Sequence, residues 1–143
     1  MLKVSGNLLV SLRINSKGME AKSNITEAKC KASLNAVGDA LYVIGGKWKL
    51  RVIIALREGN TRFNDIQRAI DGISARVLSN ELKELELNGF VKRIVHNQTP
   101  VIVEYIATEY STTLSNVLAA LTEWGTMHRN KIKQERRQEV ADV

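Results

Sequence analysis

The chain has 143 residues, of which 44% are hydrophobic and 25% charged, and this balance indicates one globular domain with its own core instead of a disordered chain. Lysine and arginine outnumber aspartate and glutamate by 21 to 15, and the net charge of +6 favours an anionic partner such as nucleic acid. The longest apolar run, Val52–Leu56, is too short to span a bilayer, a single cysteine cannot form an internal disulfide, and no secretory signal is recognisable, so we expect a cytoplasmic protein without membrane contact.

The N-terminal segment alternates apolar and polar residues over positions 2–14, and this period of two predicts a strand. A polar, lysine-rich stretch follows Met19, so we expect the ordered domain to begin after about residue 25. Residues 1–25 are therefore interpreted as an N-terminal extension that is either a strand or disordered. Alternatively, residues 1–18 derive from an upstream start codon and contribute little.

Three helices are predicted in the first half of the domain. Apolar residues at positions 34, 37, 41 and 44 follow helical spacing, and Lys47–Arg57 forms a second periodic stretch that contains Trp48 as a core aromatic. Asn64 and Gln67 have the spacing of a capping box, so a third helix is predicted to open at Asn64.

A second helix of a helix-turn-helix motif follows. Asp71–Ile73 forms a short turn, Ser74 is a favourable N-cap, and the helix is predicted to run to about Asn88, where Gly89 stops it. Its inward ridge consists of Leu78, Leu82 and Leu85. Two amphipathic helices joined by a turn of a few residues define a helix-turn-helix.

A β-hairpin comes directly after this motif. Residues 90–95 and 101–106 are rich in apolar and β-branched side chains and flank a turn over His96–Pro100, so the hairpin has the position of a wing. A last helix is predicted from about residues 108–113 to Lys133, and the charged tail, residues 131–143, is expected to fray. The fold class is therefore mainly α with a small hairpin wing (α+β), with the domain over residues 26–130.

The last helix carries an apolar ladder that is longer than a small DNA-binding head can cover. We interpret part of it as a dimer interface, so that the protein acts as a homodimer. The ladder residues assigned to this interface are Leu114, Val117, Leu118, Leu121 and Trp124.

The polar face of the second motif helix suits the major groove. Arginine binds guanine in a bidentate manner, asparagine does the same for adenine, and serine and lysine can hold phosphates. The candidate residues on this helix are Ala75, Arg76, Ser79, Asn80 and Lys83. The alternative is a helix face that is exposed to solvent and binds no ligand.

The predicted wing is polar and cationic and has no aromatic residue at its tip. Such a tip favours contact with phosphates or the minor groove of double-stranded DNA over single-strand binding, although a polar turn without a ligand is the alternative. The candidate wing residues are Lys92, Arg93, His96, Asn97, Gln98 and Thr99. Arg62, Lys47 and Lys49 are further candidates for backbone contacts from other helix ends.

Catalysis finds little support in the sequence. The sequence has two histidines, His96 and His128, but no serine or cysteine in a recognisable nucleophile motif that they could activate. Gly45–Lys47 lacks the spacing of a phosphate-binding loop. No cysteine and histidine cluster predicts a metal site. We therefore expect neither an enzyme nor a cofactor.

Six segments recur in the order typical of one known family: Val43–Leu50, Arg62–Ile66, Gly72–Ser74, Leu78–Glu86, Pro100–Tyr105 and Glu123–Gly125. Together they resemble the HxlR family of transcriptional regulators, a branch of the winged helix proteins related to MarR. The resemblance covers about residues 30–130. It implies a homodimer built from the terminal helices, with recognition helices in successive major grooves of a pseudo-palindromic site.

Several regulators of this family sense electrophiles or oxidants through an N-terminal cysteine, and Cys30 is the only candidate in this chain. The flanking Lys29 and Lys31 favour a reactive thiolate, but the proline that follows the family's sensor cysteine is absent and the spacing to the Gly-Lys-Trp motif is longer. Burial as a small apolar thiol is the alternative. The small-molecule or oxidant inducer is not identified by the sequence.

The competing function is a winged helix module that binds proteins and has no specific DNA site. A positive charge of +6 would serve acidic protein partners as well as DNA. Salt dependence separates the two, because DNA binding weakens linearly in the logarithm of salt concentration.

Overall fold

The computed structural model describes residues 27–143, so the strand expected within residues 2–14 lies outside the described residues. The first helix, α1, spans Glu27–Ile44 and begins seven residues before the apolar spacing at Leu34 suggested. It belongs to a unit that ends at Val43, whereas Ile44–Val143 form a second compact unit. The apolar residues of α1 at positions 34, 37 and 41 are all exposed.

The second unit contains four α-helices, a hairpin and a 3₁₀ helix. In chain order these are α2 (Lys49–Arg57), α3 (Phe63–Ala69), α4 (Ala75–Leu87), β1 (Val91–His96), β2 (Ile102–Ala107), a 3₁₀ helix (Glu109–Leu114) and α5 (Ser115–Ala141). The strands pair antiparallel, with Val91 opposite Ala107 and His96 opposite Ile102. The mainly helical fold with a hairpin wing is thereby confirmed.

The core lies where α2, α3 and α4 meet the base of the hairpin. Apolar side chains from each of these elements are buried because the elements present their hydrophobic stripes to one another. The most completely buried large apolar residues are Val52, Ile53, Ile66, Leu78, Leu82 and Leu85.

The predicted capping box at Asn64 is wrong. The helix begins one residue earlier, at Phe63, and Arg62 occupies the N-cap position with an extended backbone and no side-chain capping bond. The Gln67 amide donates instead to the carbonyl of Ile73, 3.4 Å away. This bond ties α3 to the turn that follows it, so the Gln67 amide pairs beyond the end of the helix instead of with its start.

The last helix is longer than expected. It continues through the charged tail to Ala141, where residues 131–143 were expected to fray. Arginine, glutamine and glutamate are good helix formers, and Lys131 pairs with Glu135 one turn later at 3.5 Å. Within residues 27–143, no helix combines the length and the apolar character that crossing a bilayer requires.

Candidate nucleic-acid interface

The start of α4 is fixed by its N-cap. Ser74 has an extended backbone, and its hydroxyl accepts a hydrogen bond from the Val77 N–H at 3.2 Å. This satisfies one of the donors that every helix leaves unpaired at its N-terminus. The predicted cap is confirmed.

The inner side of α4 is anchored by its leucines. Leu78, Leu82 and Leu85 are each no more than 1% exposed, which confirms the predicted ridge. The helix ends where Gly89 adopts φ +80°, a left-handed conformation that glycine reaches without a Cβ penalty. Both ends and one side of α4 are thus held by the fold, and its other side is left for a ligand.

The outer side of α4 carries the five residues predicted to face DNA. Ala75, Arg76, Asn80 and Lys83 are exposed, and Ser79 is half-buried. At 100° per residue they occupy a continuous sector of the helix surface that begins beside the leucine ridge at Ala75 and reaches farthest from it at Asn80. The arrangement offers two groups that can read base edges, Arg76 and Asn80, on one accessible surface.

The two cations of β1 lie on opposite faces of the wing, because side chains alternate along a strand. Arg93 shares a face with the buried Val91 and borders, with Ser79, Lys83 and Tyr105, a cleft of about 350 Å³ between α4 and the hairpin. Arg93 is therefore continuous with the exposed surface of α4, whereas Lys92 points to the other side of the hairpin.

The base of the wing is tied to the helix-turn-helix by two contacts that the sequence did not reveal. The Tyr105 N–H donates to the Thr61 carbonyl at 2.8 Å, and the Arg62 Nε lies 3.8 Å from a Glu104 carboxylate oxygen. The other oxygen of Glu104 is 2.9 Å from Nε2 of His96. Arg62 and His96, both predicted to contact DNA, thus share one carboxylate and remain partly exposed.

The wing tip consists of exposed polar residues. Asn97, Gln98 and Thr99 are all exposed, and the peptide bond between Thr99 and Pro100 is cis. The Gln98 N–H donates to the His96 carbonyl at 2.9 Å within the turn. The tip is accessible to a duplex groove or its phosphates.

Lys49 is unavailable to a phosphate, contrary to the sequence expectation. Its side chain is 13% exposed, and its ammonium lies 3.0 Å from Glu81 and 2.5 Å from Glu84, both on α4. The hydrogen bond to Glu84 raises the pKa of Lys49 above its ordinary value, burial opposes this, and Glu81 adds to the increase. Lys49 therefore braces α4 against α2, and its partners lie too far along the chain to be found by local spacing.

Trp48 is half-buried and packs beneath two cations. The Lys47 ammonium lies 4.6 Å and the Arg51 guanidinium 5.6 Å from its ring centroid. Its Cη2 is 4.0 Å from the position that a Cβ would take at Gly72, in the turn before α4. Lys47 is exposed and remains a candidate for phosphate contact.

The proposed dimer residues divide into two groups. Leu114 and Leu118 are buried in the core of the single chain, whereas Val117, Leu121 and Trp124 are exposed. The Trp124 ring stacks on His128, with centroids 4.9 Å apart. The exposed three lie on one side of α5 and are the members of the ladder that a second copy can reach.

Cys30 is exposed on the second turn of α1. Burial as an apolar thiol therefore does not describe its place in the structure. It lies four residues before Leu34, on the side of α1 that carries the exposed apolar residues.

The known proteins that this chain resembles are regulators. A model of the HxlR-like helix-turn-helix family matches residues 43–133. A Bacillus subtilis protein described as an uncharacterised helix-turn-helix transcriptional regulator, YtcD, is 39% identical over 97 residues, which cover 68% of this chain and 77% of YtcD. A relative from Methanothermobacter thermautotrophicus, with the same kind of description, is 42% identical over 95 residues, 66% of this chain and 72% of its own.

Solved structures that match this chain are also structures of regulators. The crystal structure of YtcD matches with a TM-score of 0.62 at 40% identity, covering 66% of this chain and 96% of that one. The oxidised form of the redox regulator HypR matches with a TM-score of 0.60 at 40% identity, covering 64% of this chain and 95% of its own. These similarities point to a family of transcriptional regulators and not to a family of enzymes.

Proposed function

This chain belongs to the HxlR-like helix-turn-helix family of DNA-binding transcriptional regulators, and on that premise we propose that it acts as a homodimer on a pseudo-palindromic operator. The observation that carries the proposal is the exposed polar surface of α4, whose other side is held by three buried leucines. Each protomer places α4 in a major groove. Half-sites then lie about 34 Å apart, one turn of the duplex.

Base recognition is assigned to α4. Arg76 reads a guanine and Asn80 an adenine, each with about 1–3 kcal/mol of discrimination against the wrong base. Ser79 and Lys83 hold phosphates, and Ala75 lies close enough to the helix N-terminus to contact a base edge or the backbone. The cleft between α4 and the hairpin is lined by Lys83 and Arg93 as well as by Glu86, and its two cations extend this surface toward the wing.

The wing supplies contacts that do not depend strongly on sequence. Arg93 lies on the same face as α4, and the tip residues Asn97, Gln98 and Thr99 extend beyond it. Lys92 and His96 contribute from the opposite face of the hairpin, and Arg62 contributes from the start of α3. Phosphate contacts of this kind fix the register of the protein on the duplex and make its affinity depend on salt.

The dimer is assigned to the terminal helices. The exposed ladder on α5, formed by Val117, Leu121 and Trp124, supplies apolar area, and α1 has exposed apolar residues of its own. Neighbouring exposed apolar residues on one side of a helix are typical of a protein interface. Leu114 and Leu118 support the ladder from within each protomer.

The experiment is selection of bound sites from random duplex DNA, followed by salt titration on the selected site. We expect two inverted half-sites, and a log–log salt slope that Arg93→Glu flattens by about one unit or more. Lys92→Glu should flatten it less, and Arg137→Glu, near the far end of α5, should leave it unchanged. Selection of no common sequence would contradict the proposal.

Oxidant sensing is a second candidate, favoured by the exposure of Cys30 and by the similarity to a protein described as a redox regulator. In this proposal, two Cys30 thiols in a dimer are oxidised to an intersubunit disulfide, and the oxidant, such as diamide, accepts the two electrons and two protons. Mass spectrometry after mild diamide treatment should find the disulfide or a Cys30 adduct together with altered DNA affinity. The Cys30→Ser variant is the control. If diamide treatment produces neither a modified Cys30 nor a change in DNA affinity relative to this variant, the sensor role is excluded.

A further inference from the structure

The outer surface of α4 continues past Asn80 to a carboxylate. Arg76, Asn80 and Glu84 are spaced four residues apart, so they form one row along the helix, and Glu84 follows directly on the two proposed base readers. The Glu84 side chain is 56% exposed, and its carboxylate therefore borders the surface that is proposed to enter a major groove. Duplex DNA carries a phosphate charge for about every 1.7 Å of its axis, so an uncompensated carboxylate at this border opposes binding.

The helix proposed to read DNA is acidic by composition. Between Ala75 and Leu87 it has two cations, Arg76 and Lys83, and three glutamates, at positions 81, 84 and 86, so its formal charge is −1 in a chain whose net charge is +6. Such a charge is unfavourable beside phosphates, because neutralisation of phosphates by lysine and arginine supplies much of the affinity for a duplex. DNA binding by α4 therefore depends on cations that other elements of the fold supply.

Lys49, the first residue of α2, supplies one such cation. Its ammonium lies 3.0 Å from the Glu81 carboxylate and 2.5 Å from the Glu84 carboxylate. Within residues 27–143, the ion pairs of both glutamates are with this one lysine. The hydrogen bond to Glu84 is the largest cause of the raised pKa of Lys49, so this lysine stays charged at the neutral pH of DNA-binding measurements. Removal of the Lys49 ammonium would thus leave two carboxylates on α4 without their counter-charge.

The position of Lys49 also directs the Glu84 carboxylate. At 100° per residue, Asn80 and Glu81 lie on opposite sides of Glu84 around the helix axis. A cation shared by Glu81 and Glu84 therefore draws the Glu84 carboxylate away from Asn80. Lys49 itself is 13% exposed and is occupied by the two carboxylates, so it acts on this surface without being accessible to a phosphate.

We propose that Lys49 is a positioning residue for DNA recognition, which neutralises Glu81 and Glu84 and holds their carboxylates away from the phosphates without contacting the duplex. This inference rests on the proposed function, because it concerns how α4 enters a groove. The two have distinguishable failures. If the unchanged protein selects no operator, the proposed function fails, whereas an operator whose binding is insensitive to these three charges contradicts the role of Lys49 alone.

Fluorescence anisotropy on the selected operator, measured at several salt concentrations, tests the charge of this cluster. Lys49→Met should weaken binding by about two- to tenfold at about 0.1 M salt, where the screening length is about 10 Å, and this ratio should shrink as the salt concentration rises. A helix that is merely displaced would lose affinity by the same ratio at every salt concentration. Lys49→Arg keeps the charge and should retain most of the affinity.

Glu84→Gln provides the opposite test and leaves the pair between Lys49 and Glu81 in place. It removes a carboxylate from the border of the reading surface, so binding to the operator should become stronger by about two- to tenfold, with a steeper salt slope. In the Lys49→Met background it should recover most of the lost affinity. Glu139→Gln is the matched control, because it changes the net charge equally at an exposed position near the far end of α5 and should leave the affinity unchanged.

The proposal is overturned if Lys49→Met binds as tightly as the unchanged protein, if its loss is the same at every salt concentration, or if Glu84→Gln fails to recover that loss. Equal strengthening by Glu84→Gln and Glu139→Gln would also contradict it, because net charge alone would then explain the effect.

Repeating the site selection with Glu84→Gln separates charge from base contact. Weaker binding together with a new base at one position would assign Glu84 to base reading and would refute the role of Lys49 proposed above. Circular dichroism checks that each variant is folded. If Lys49→Met does not fold, Glu84→Gln decides the question by itself, and the absence of stronger binding in that variant would refute the proposal.

Discussion

Replacing Lys49 with methionine removes the brace between α2 and α4 while keeping most of the side-chain volume. Glu84 is 56% exposed, so its pair with Lys49 contributes about 0.2–1 kcal/mol, as exposed pairs do. Glu81 is 18% exposed, and its buried Oε2 forms an ion pair with Lys49. Within the described part of the chain, this oxygen accepts no hydrogen bond of ordinary geometry. Leaving such a buried acceptor without a partner costs about 1–3 kcal/mol.

The expected total for Lys49→Met is therefore about 1–4 kcal/mol, and it is dominated by Glu81. For a domain of this size, that corresponds to a fall in melting temperature of roughly 3–16 °C. Guanidinium unfolding followed by far-UV circular dichroism measures the free energy directly. An unchanged denaturant slope would show that the loss lies in stability and not in the compactness of the unfolded state.

A double-mutant cycle identifies the cause. Glu81→Gln in the Lys49→Met background should recover part of the loss, because a neutral amide is cheaper to leave unpaired than a carboxylate. Glu84→Gln alone is the matched control and should cost less than about 1 kcal/mol. The reasoning is refuted if Glu84→Gln destabilises more than Lys49→Met, or if the effects at positions 49 and 81 simply add.

The same brace has a defined pH dependence. Glu84 and Glu81 raise the pKa of Lys49 above the ordinary 10.5, so the folded protein holds this proton more tightly than the unfolded chain. The stabilisation is complete below 10.5 and is lost as pH rises through the folded-state pKa. The difference in stability between the unchanged protein and Lys49→Met should therefore shrink in strongly alkaline solution.

Three further predictions concern the recognition helix and the dimer. Ser74→Ala should cost about 1 kcal/mol in denaturant unfolding through loss of the N-cap, whereas Ser74→Thr should retain most of it. Gly89→Ala should lower the free energy of unfolding by about 1–2 kcal/mol because φ is +80° at this position. Gly89→Asn should lower it less, because asparagine tolerates this conformation better. Equal losses in the two variants would exclude backbone strain as the cause. Leu121→Glu should shift the sedimentation of the protein from dimer toward monomer, whereas Ala119→Glu, on another side of α5, should not. An unchanged mass of the Leu121→Glu variant would show that Leu121 lies outside the dimer interface.

Sequence patterns predicted the recognition helix well because its determinants are local. Ser74 caps within three residues, the leucines repeat at helical spacing, and Gly89 ends the helix through its own backbone. The hairpin followed from β-branched residues on either side of a polar turn, for the same reason. Each of these features depends on residues close together in the chain.

The errors arose where partners are distant in sequence. Lys49 seemed available to DNA because nothing nearby in the chain indicates Glu81. Leu118 appeared to be free for a second copy, but the core of its own chain buries it.

The ties at the base of the wing have a consequence for how this protein can diversify. The bond from Tyr105 to Thr61 and the ion pair between Arg62 and Glu104 hold the hairpin where it leaves the helices. Among residues 27–143, the tip beyond His96 is held by a bond within its own turn. Residues can therefore be inserted or exchanged at positions 97–101 without disturbing the elements below. The tip can change its reach along a duplex in evolution or by design, while α4 keeps reading the same bases.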